Sequence, residues 1–208
     1  FIDFKSRDLR TTHRDLLTLI PSLKKVTQPQ LSKLGTITFK GNYTGFINDF
    51  LAYGSIGTNL GTINVDINMK LPAKGTPIYS GKISTTSFNL SSFLNTKTLG
   101  NISVNGKIKG KGFTAKDVLL NFDGTINQVQ LLNYSYQNLI VKGTLDKKLF
   151  KGNFSINDPN LIVEDAVGII DFNENNSKLN LDGFIRKADL KKLNIINDEF
   201  IVKGKLNL

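Results

Sequence analysis

Three carboxylates, Glu164, Asp165 and Asp171, are the nearest thing in this sequence to a catalytic cluster. Two carboxyl groups held roughly 5–9 Å apart can divide the acid and base roles of glycosidic cleavage. Glu164 and Asp165 are adjacent, however, and neighbours along a strand point to opposite faces. His13 is the only histidine and the chain has no cysteine. Those absences remove a thiolate nucleophile, a disulfide scaffold, a thiolate zinc site and most histidine-relay chemistry. His13 itself reads as a surface residue at the start of a helix. Tyr134 and Tyr136 stand two apart and share a face, which suits wall packing better than base stacking. The glycine- and lysine-rich stretch Gly106 to Gly112 lacks the Gly-Lys-Ser/Thr ending and following helix of a phosphate loop. No catalytic residue, metal site or cofactor is expected, and the chain reads as a non-enzyme.

Charge is the next feature with chemical content. The 208 residues carry 27 Lys and Arg against 17 Asp and Glu, a formal charge of +10. Lys107, Lys109 and Lys111 fall on one side of a strand pattern, and Lys203 and Lys205 on another. Lys147, Lys148 and Lys151 crowd a turn, while Arg186, Lys187, Lys191 and Lys192 flank a short connecting segment. Lysines of this kind keep a sheet soluble and protect its open edges. They also suit anionic lipid headgroups or an acidic partner. No nucleic-acid-binding motif accompanies the charge, so nucleic acid is not expected as a partner.

The elements that must position these groups are mostly strands. From residue 34 onward the hydrophobic period is two. Ile63, Val65, Ile67, Met69 and Leu71 alternate with Asn64, Asp66, Asn68 and Lys70. Similar alternation runs through Ile37 to Tyr43, Ile102 to Ile108, Leu120 to Ile126 and Phe200 to Leu208. Such alternation predicts strands with one apolar and one wetted face, usually antiparallel. Turn clusters at Gly57–Gly61, Ala73–Pro77, Asp146–Lys148, Asn157–Asn160 and Asn173–Ser177 divide them into about a dozen. The first 33 residues differ. Phe1 to Phe4 reads as the end of a strand. Thr12 is a predicted N-cap with Asp15 three residues on, opening an amphipathic helix at about 12–20, with a weaker turn to about 26. The expected organisation is therefore residues 1–33 leading into a sheet over 34–208.

The pattern apolar-x-Gly-x-apolar recurs, centred on Gly41, Gly81, Gly106, Gly124, Gly143, Gly152, Gly183 and Gly204. Glycine weakens a strand, so a recurrent one on the inward face predicts a bend or space there. A sheet bent at matching places becomes a trough; the alternative is the sharp twist of an ordinary sandwich. The predicted trough wall is Ile37, Phe39, Val65, Ile67, Val104, Ile108, Phe122, Ile126, Val141, Phe154, Leu181, Ile185, Val202 and Leu206. A longer echo places Phe88, Leu90, Phe93 and Leu94 after one strand and Ala188, Leu190 and Leu193 after another. Both segments are expected to cross the mouth of the trough.

Several ordered stretches resemble the TamB-like and AsmA-like bridge proteins, most of all the C-terminal region of bacteroidete TamB. They are Arg10-Thr11-Thr12 with Asp15 and Leu16, Leu34-Gly35 into Phe39-Lys40-Gly41, and Gly45-Phe46-Ile47 with Asp49-Phe50. Thr58-Asn59-Leu60-Gly61, Tyr134-Ser135-Tyr136-Gln137-Asn138, Asp158-Pro159-Asn160 and Ala188-Asp189-Leu190 with Leu193-Asn194 continue the series. The resemblance covers most of residues 8–200. It implies an elongated all-β groove, a β-taco, whose apolar wall binds phospholipid acyl chains without enzymatic activity. It further implies a periplasmic bridge between the membranes, serving lipid transport and outer-membrane protein assembly. The implied partners are an outer-membrane barrel of the TamA or BamA type and an inner-membrane anchor outside this chain. The rival expectation is a structural surface protein, such as a β-solenoid adhesin or autotransporter passenger, which would show regular parallel coils.

Overall fold

The computed structural model describes residues 1–172 and 179–207. Its twelve strands form one sheet in strict sequence order. They are β1 (Ile2–Thr12), β2 (Thr36–Phe46), β3 (Asp49–Thr58), β4 (Gly61–Lys70), β5 (Ile78–Asn89) and β6 (Leu99–Lys111), then β7 (Leu119–Leu131), β8 (Tyr134–Asp146), β9 (Leu149–Asn157), β10 (Leu161–Asp171), β11 (Leu179–Asp189) and β12 (Ile201–Asn207). Every neighbouring pair is antiparallel. The sheet is curved and unclosed, with β1 and β12 as its edges. Eleven spacings of roughly 4.8 Å make it about 53 Å long. The architecture is an all-β, elongated open groove, and no parallel coil of a solenoid occurs among the described residues.

Helix is confined to connections. Between β1 and β2 lie α1 (His13–Leu19) and one-turn segments at Pro21–Lys25 and Leu31–Leu34; α2 (Leu90–Leu94) joins β5 to β6. Thr12 caps α1: its hydroxyl accepts from the Asp15 amide at 3.3 Å, and the Asp15 carboxylate accepts from the Thr12 amide at 2.9 Å. This reciprocal pair stops β1 and starts the helix at the predicted place. Pro21 then opens a separate turn.

Strand β1 is longer than the alternation of Phe1 to Phe4 suggests. It continues to Thr12 through a register shift between Ser6 and Leu9, which the charged run Arg7-Asp8 occupies. At the other edge, β12 begins at Ile201, and Phe200 is exposed rather than part of the strand. The turn expected at Asn173–Ser177 and the residue Leu208 lie outside the described residues.

The meander sorts the connections onto two rims. One rim carries residues 12–36, 58–61, 89–99, 131–134, 157–161 and 189–201. The opposite rim carries 46–49, 70–78, 111–119 and 146–149.

Candidate functional site

Residues paired directly across antiparallel strands share a face. Following the register therefore traces each row of the apolar wall along the sheet. One row runs Phe39–Ile56–Ile63–Thr85–Val104–Ile126–Leu139–Ile156–Val163–Ile185–Gly204. The next runs Gly41–Gly54–Val65–Ile83–Gly106–Gly124–Val141–Phe154–Ala166. A third runs Tyr43–Ala52–Ile67–Gly81–Ile108–Phe122–Gly143–Gly152–Gly168–Leu181. Ile37, one step beyond the first row, pairs with Thr11, and Val202 pairs with Ala188. All the wall residues expected from the sequence fall on this one face. Leu206 joins them by its pairing opposite Gly183, its side chain lying outside the described residues.

The glycines occupy adjacent rows rather than one. Gly41 faces Gly54, Gly106 faces Gly124, and Gly143, Gly152 and Gly168 form a run of three. At the first pair the backbone leaves the range open to other residues, with φ of 155° and 152°. A Cβ on Gly54 would overlap the Lys40 carbonyl oxygen and come within 2.7 Å of the Gly41 Cα. Elsewhere the missing Cβ is a seat for a ring. Phe122 lies where a Cβ on Gly106 would be, 2.6 Å from its Cε2, and its Cζ is 3.0 Å from that position on Gly124. Phe150 fills the same role over Gly143 and Gly152, at 2.6 and 2.9 Å. The glycine rows are thus not an empty channel: aromatic rings from neighbouring rows lie over them. Gly81 abuts the Asp66 carbonyl, Gly183 abuts Ala166, and Gly204, on the edge strand, has open space.

How far the sheet folds across its width follows from the β1–β2 connection. Thr12 is on one rim, yet Leu19, Ile20 and Pro21 line a cavity with Ile47, Asn48, Leu71 and Pro72 of the other. Pro21, Leu23 and Val26 then line a second cavity with Ala73, Pro77 and Phe113, still on that far rim. The chain returns to the first rim, where the Gln30 amide donates to the Phe93 carbonyl at 2.7 Å and the Asn59 amide to the Leu34 carbonyl at 2.9 Å. A strand of eleven residues is about 36 Å long. The crossing from Thr12 to Ile20 is mostly α1, at 1.5 Å per residue, and spans on the order of 15–20 Å. The rims are therefore brought much closer than the strand length, and the strands bend between them. Leu51 and Tyr53, on the other face of β3, stay exposed, so residues 13–34 lie over the apolar side. This strap roofs the groove from about β2 to β6 and leaves the β7–β12 section open.

The segments expected to cross the mouth do something else. Asn89 caps α2, its carboxamide oxygen accepting from the Ser92 amide at 2.8 Å, and Phe93 packs edge-on against buried Phe88. Residues 190–196 turn back along the same rim, where Asn194 donates to the Asn133 carbonyl at 3.2 Å. Both connections stay on the rim from which they leave. Among the described residues, only the amino-terminal connection reaches both rims.

The polar face repeats the bend in negative. A furrow of about 750 Å³ runs between Leu51, Asn68, Ser80, Lys109 and Thr144 on one side and Asp66, Lys82, Lys107, Asp123 and Lys142 on the other. Its floor includes backbone at Ile67, Gly81, Ile108, Phe122 and Gly143. Side chains splay apart on the convex side of a fold, which accounts for its position. Lys82 stands directly opposite Lys107, and Asp66 and Asp123 flank that pair along the row. Lys142 pairs with Asp123 at 3.4 Å. Among the described residues, six basic side chains form ion pairs of this kind. Arg186 pairs with Glu164, Lys192 with Asp189 at 3.4 Å and Lys191 with Glu199 at 3.5 Å.

Glu164 and Asp165 do not sit in an ordinary alternating strand. Asp165 has φ 48° within a register shift between Glu164 and Val167. Tyr134 and Tyr136 do pack together, edge to face at 4.7 Å. Their neighbourhood holds a polar node that local sequence patterns do not announce. Asp158, 1 % exposed, accepts from the Tyr134 hydroxyl at 2.6 Å, the Gln137 amide at 3.0 Å and the Asn160 amide at 2.8 Å. The Asn160 side chain donates to the Tyr134 oxygen at 3.0 Å. The node ties the start of β8 to the β9–β10 hairpin. Burial, then the contact with Asp158, holds the Tyr134 hydroxyl above the usual tyrosine range. Burial does the same for Tyr43 and Tyr79 on the wall. Among the described residues no three His, Cys, Asp or Glu side chains form a metal cluster.

Comparison with family models, with curated proteins and with solved structures gives no match for this chain.

Proposed function

We propose that the chain is a lipid-binding section of a periplasmic bridge, holding phospholipid acyl chains in its apolar trough without catalysing a reaction. The observation that carries this reading is the uncovered wall. Six of the expected wall residues on β7–β12, Phe122, Ile126, Val141, Phe154, Ile185 and Val202, are only half-buried. No second layer packs over the β7–β12 half of the sheet among the described residues. A single sheet with one apolar side needs something to cover that side. An acyl chain does so at about 0.8 kcal/mol per methylene removed from water, so ten methylenes contribute about 8 kcal/mol.

Apart from Thr85, the three rows consist of aliphatic, aromatic and glycine residues from strand to strand. A bound chain then meets similar surroundings as it moves along the groove, which favours transit over storage. The likeness of the Arg10–Leu16, Gly45–Phe50 and Ala188–Asn194 stretches to TamB-like proteins supports the same reading. On it the partners are an outer-membrane barrel of the TamA or BamA type and an inner-membrane anchor beyond these residues.

The test is native mass spectrometry of the purified chain with extraction of bound lipid, repeated on Val104→Glu and Phe122→Glu. Co-purifying phospholipid, lost in folded charged variants, is the expected result. Unchanged occupancy in those variants, or no lipid on the parent protein, overturns the proposal.

A further inference from the structure

The strap of residues 13–34 leaves one gap on the far rim. Pro21, Leu23 and Val26 face Ala73, Pro77 and Phe113 across a space of about 660 Å³. This is an apolar opening at the edge of a roofed groove. It leads to the wall: the Phe113 ring stacks on Tyr79 at 5.7 Å, and Tyr79 is a buried wall residue paired with Met69 and Gly110. The Tyr79 hydroxyl donates to the Gly112 carbonyl at 3.1 Å, which fixes the ring pair as a doorpost.

Both signs of charge occur at the opening: Lys74 and Asp117 are in its lining, and Lys24 and Lys116 adjoin the lining residues Leu23 and Asp117 in sequence. Lys24 on the strap, Lys74 on the 71–77 loop and Lys116 on the 112–118 loop are exposed. None of the ion pairs among the described residues uses any of the three. Asp117, in the lining itself, accepts from the Thr114 amide and hydroxyl at 2.8 and 2.7 Å; set against its one negative charge, the three lysines leave a formal excess of two positive charges. An apolar side made by Pro21, Leu23, Val26, Ala73, Pro77 and Phe113, with a net positive margin, matches one kind of molecule, an acyl chain with an anionic head.

We propose that this opening is a lateral port through which an anionic phospholipid inserts an acyl chain into the groove. Its headgroup stays outside, on Lys24, Lys74 and Lys116. The proposal rests on the acyl-chain reading of the groove and adds where the chain enters and which headgroup it carries. The strap is the moving part. It is held to the first rim by the two backbone bonds of Gln30 and Asn59, and α1 has no buried residue.

The chain has no cysteine, so an introduced pair is unambiguous. Leu23→Cys with Pro77→Cys places one thiol on each side of the opening, to be bridged by a short bismaleimide. Uptake of fluorescent phospholipid is followed from phosphatidylglycerol vesicles and from phosphatidylcholine vesicles. Bridging is expected to slow uptake at least tenfold relative to the unbridged double variant. The triple variant Lys24→Glu, Lys74→Glu, Lys116→Glu keeps the strap free and is expected to lose the preference for phosphatidylglycerol. Equal uptake by bridged and unbridged protein, or an unchanged preference in the triple variant, overturns the port while leaving groove binding intact. No uptake by any form, with no extractable lipid, overturns the groove reading and the port together.

Discussion

Replacing Gly54 by alanine is the most direct challenge to a bent sheet. The residue has φ 152°, a conformation that costs an L side chain about 1–3 kcal/mol. Its new methyl would overlap the Lys40 carbonyl and lie 2.7 Å from the Gly41 Cα, both of them backbone. Backbone cannot rotate away as a side chain does, so β2 and β3 must separate locally, at about another 1–3 kcal/mol. The sum, about 2–6 kcal/mol, is a large part of the roughly 5–15 kcal/mol that holds a domain together. Gly57 on the same strand is the control. Its Cβ would meet only the Thr38 hydroxyl and Cβ, at 2.5 and 3.9 Å, and the hydroxyl can turn aside. Gly57→Ala also removes freedom from the unfolded chain, which offsets part of any cost. Urea unfolding followed by far-ultraviolet circular dichroism separates the two. With a slope of roughly 2 kcal/mol per molar, Gly54→Ala should shift the midpoint down by about 1–3 M. Gly57→Ala should shift it by less than about 0.5 M. Equal midpoints would refute the argument that the Gly41–Gly54 pair is a required close approach.

Asp158→Ala leaves the Tyr134 hydroxyl and the Gln137 and Asn160 amides without their acceptor, and should destabilise by about 3–5 kcal/mol in the same assay. A loss below about 1 kcal/mol would show that the node is incidental. Phe122→Ala uncovers the glycine pair 106/124 and, for a half-buried ring, should cost about 2–3 kcal/mol, with Phe122→Leu costing less. The Lys192 amide bond and then the Lys192 ammonium hold the Asp189 carboxyl below the usual aspartate range. Its stabilising effect is therefore complete above the unfolded value of about 3.9 and disappears as pH falls through the lower folded value. The Lys192 amide resonance should report a midpoint below about 3.9; one at or above that value would contradict the assigned contact.

Local patterns carried much of the fold. Thr12 and Asp15 mark the start of α1 because a capping box needs only four consecutive residues. The strands and their turns were readable wherever alternation was regular. Reading failed where one extra residue breaks the alternation. Arg7-Asp8 in β1 and Asp165 in β10 sit at register shifts, and a shift is a property of two strands together. The wall was legible because every second residue shares a face. The contents of the glycine rows were not, because Phe122 lies over a glycine of the neighbouring strand.

Alternating apolar and polar residues were enough to specify a long antiparallel sheet with one greasy and one wet side, since a strand's side chains have a fixed period of two. The closure of the trough belongs to the folded molecule. Residues 13–34 look like a short helix on the end of a sheet, but they reach both rims only because the bent strands bring those rims together. The positive charge is likewise sorted in three dimensions. Cross-strand carboxylates balance Lys142 and Arg186, whereas Lys24, Lys74 and Lys116, at or beside one rim opening, enter no ion pair among the described residues.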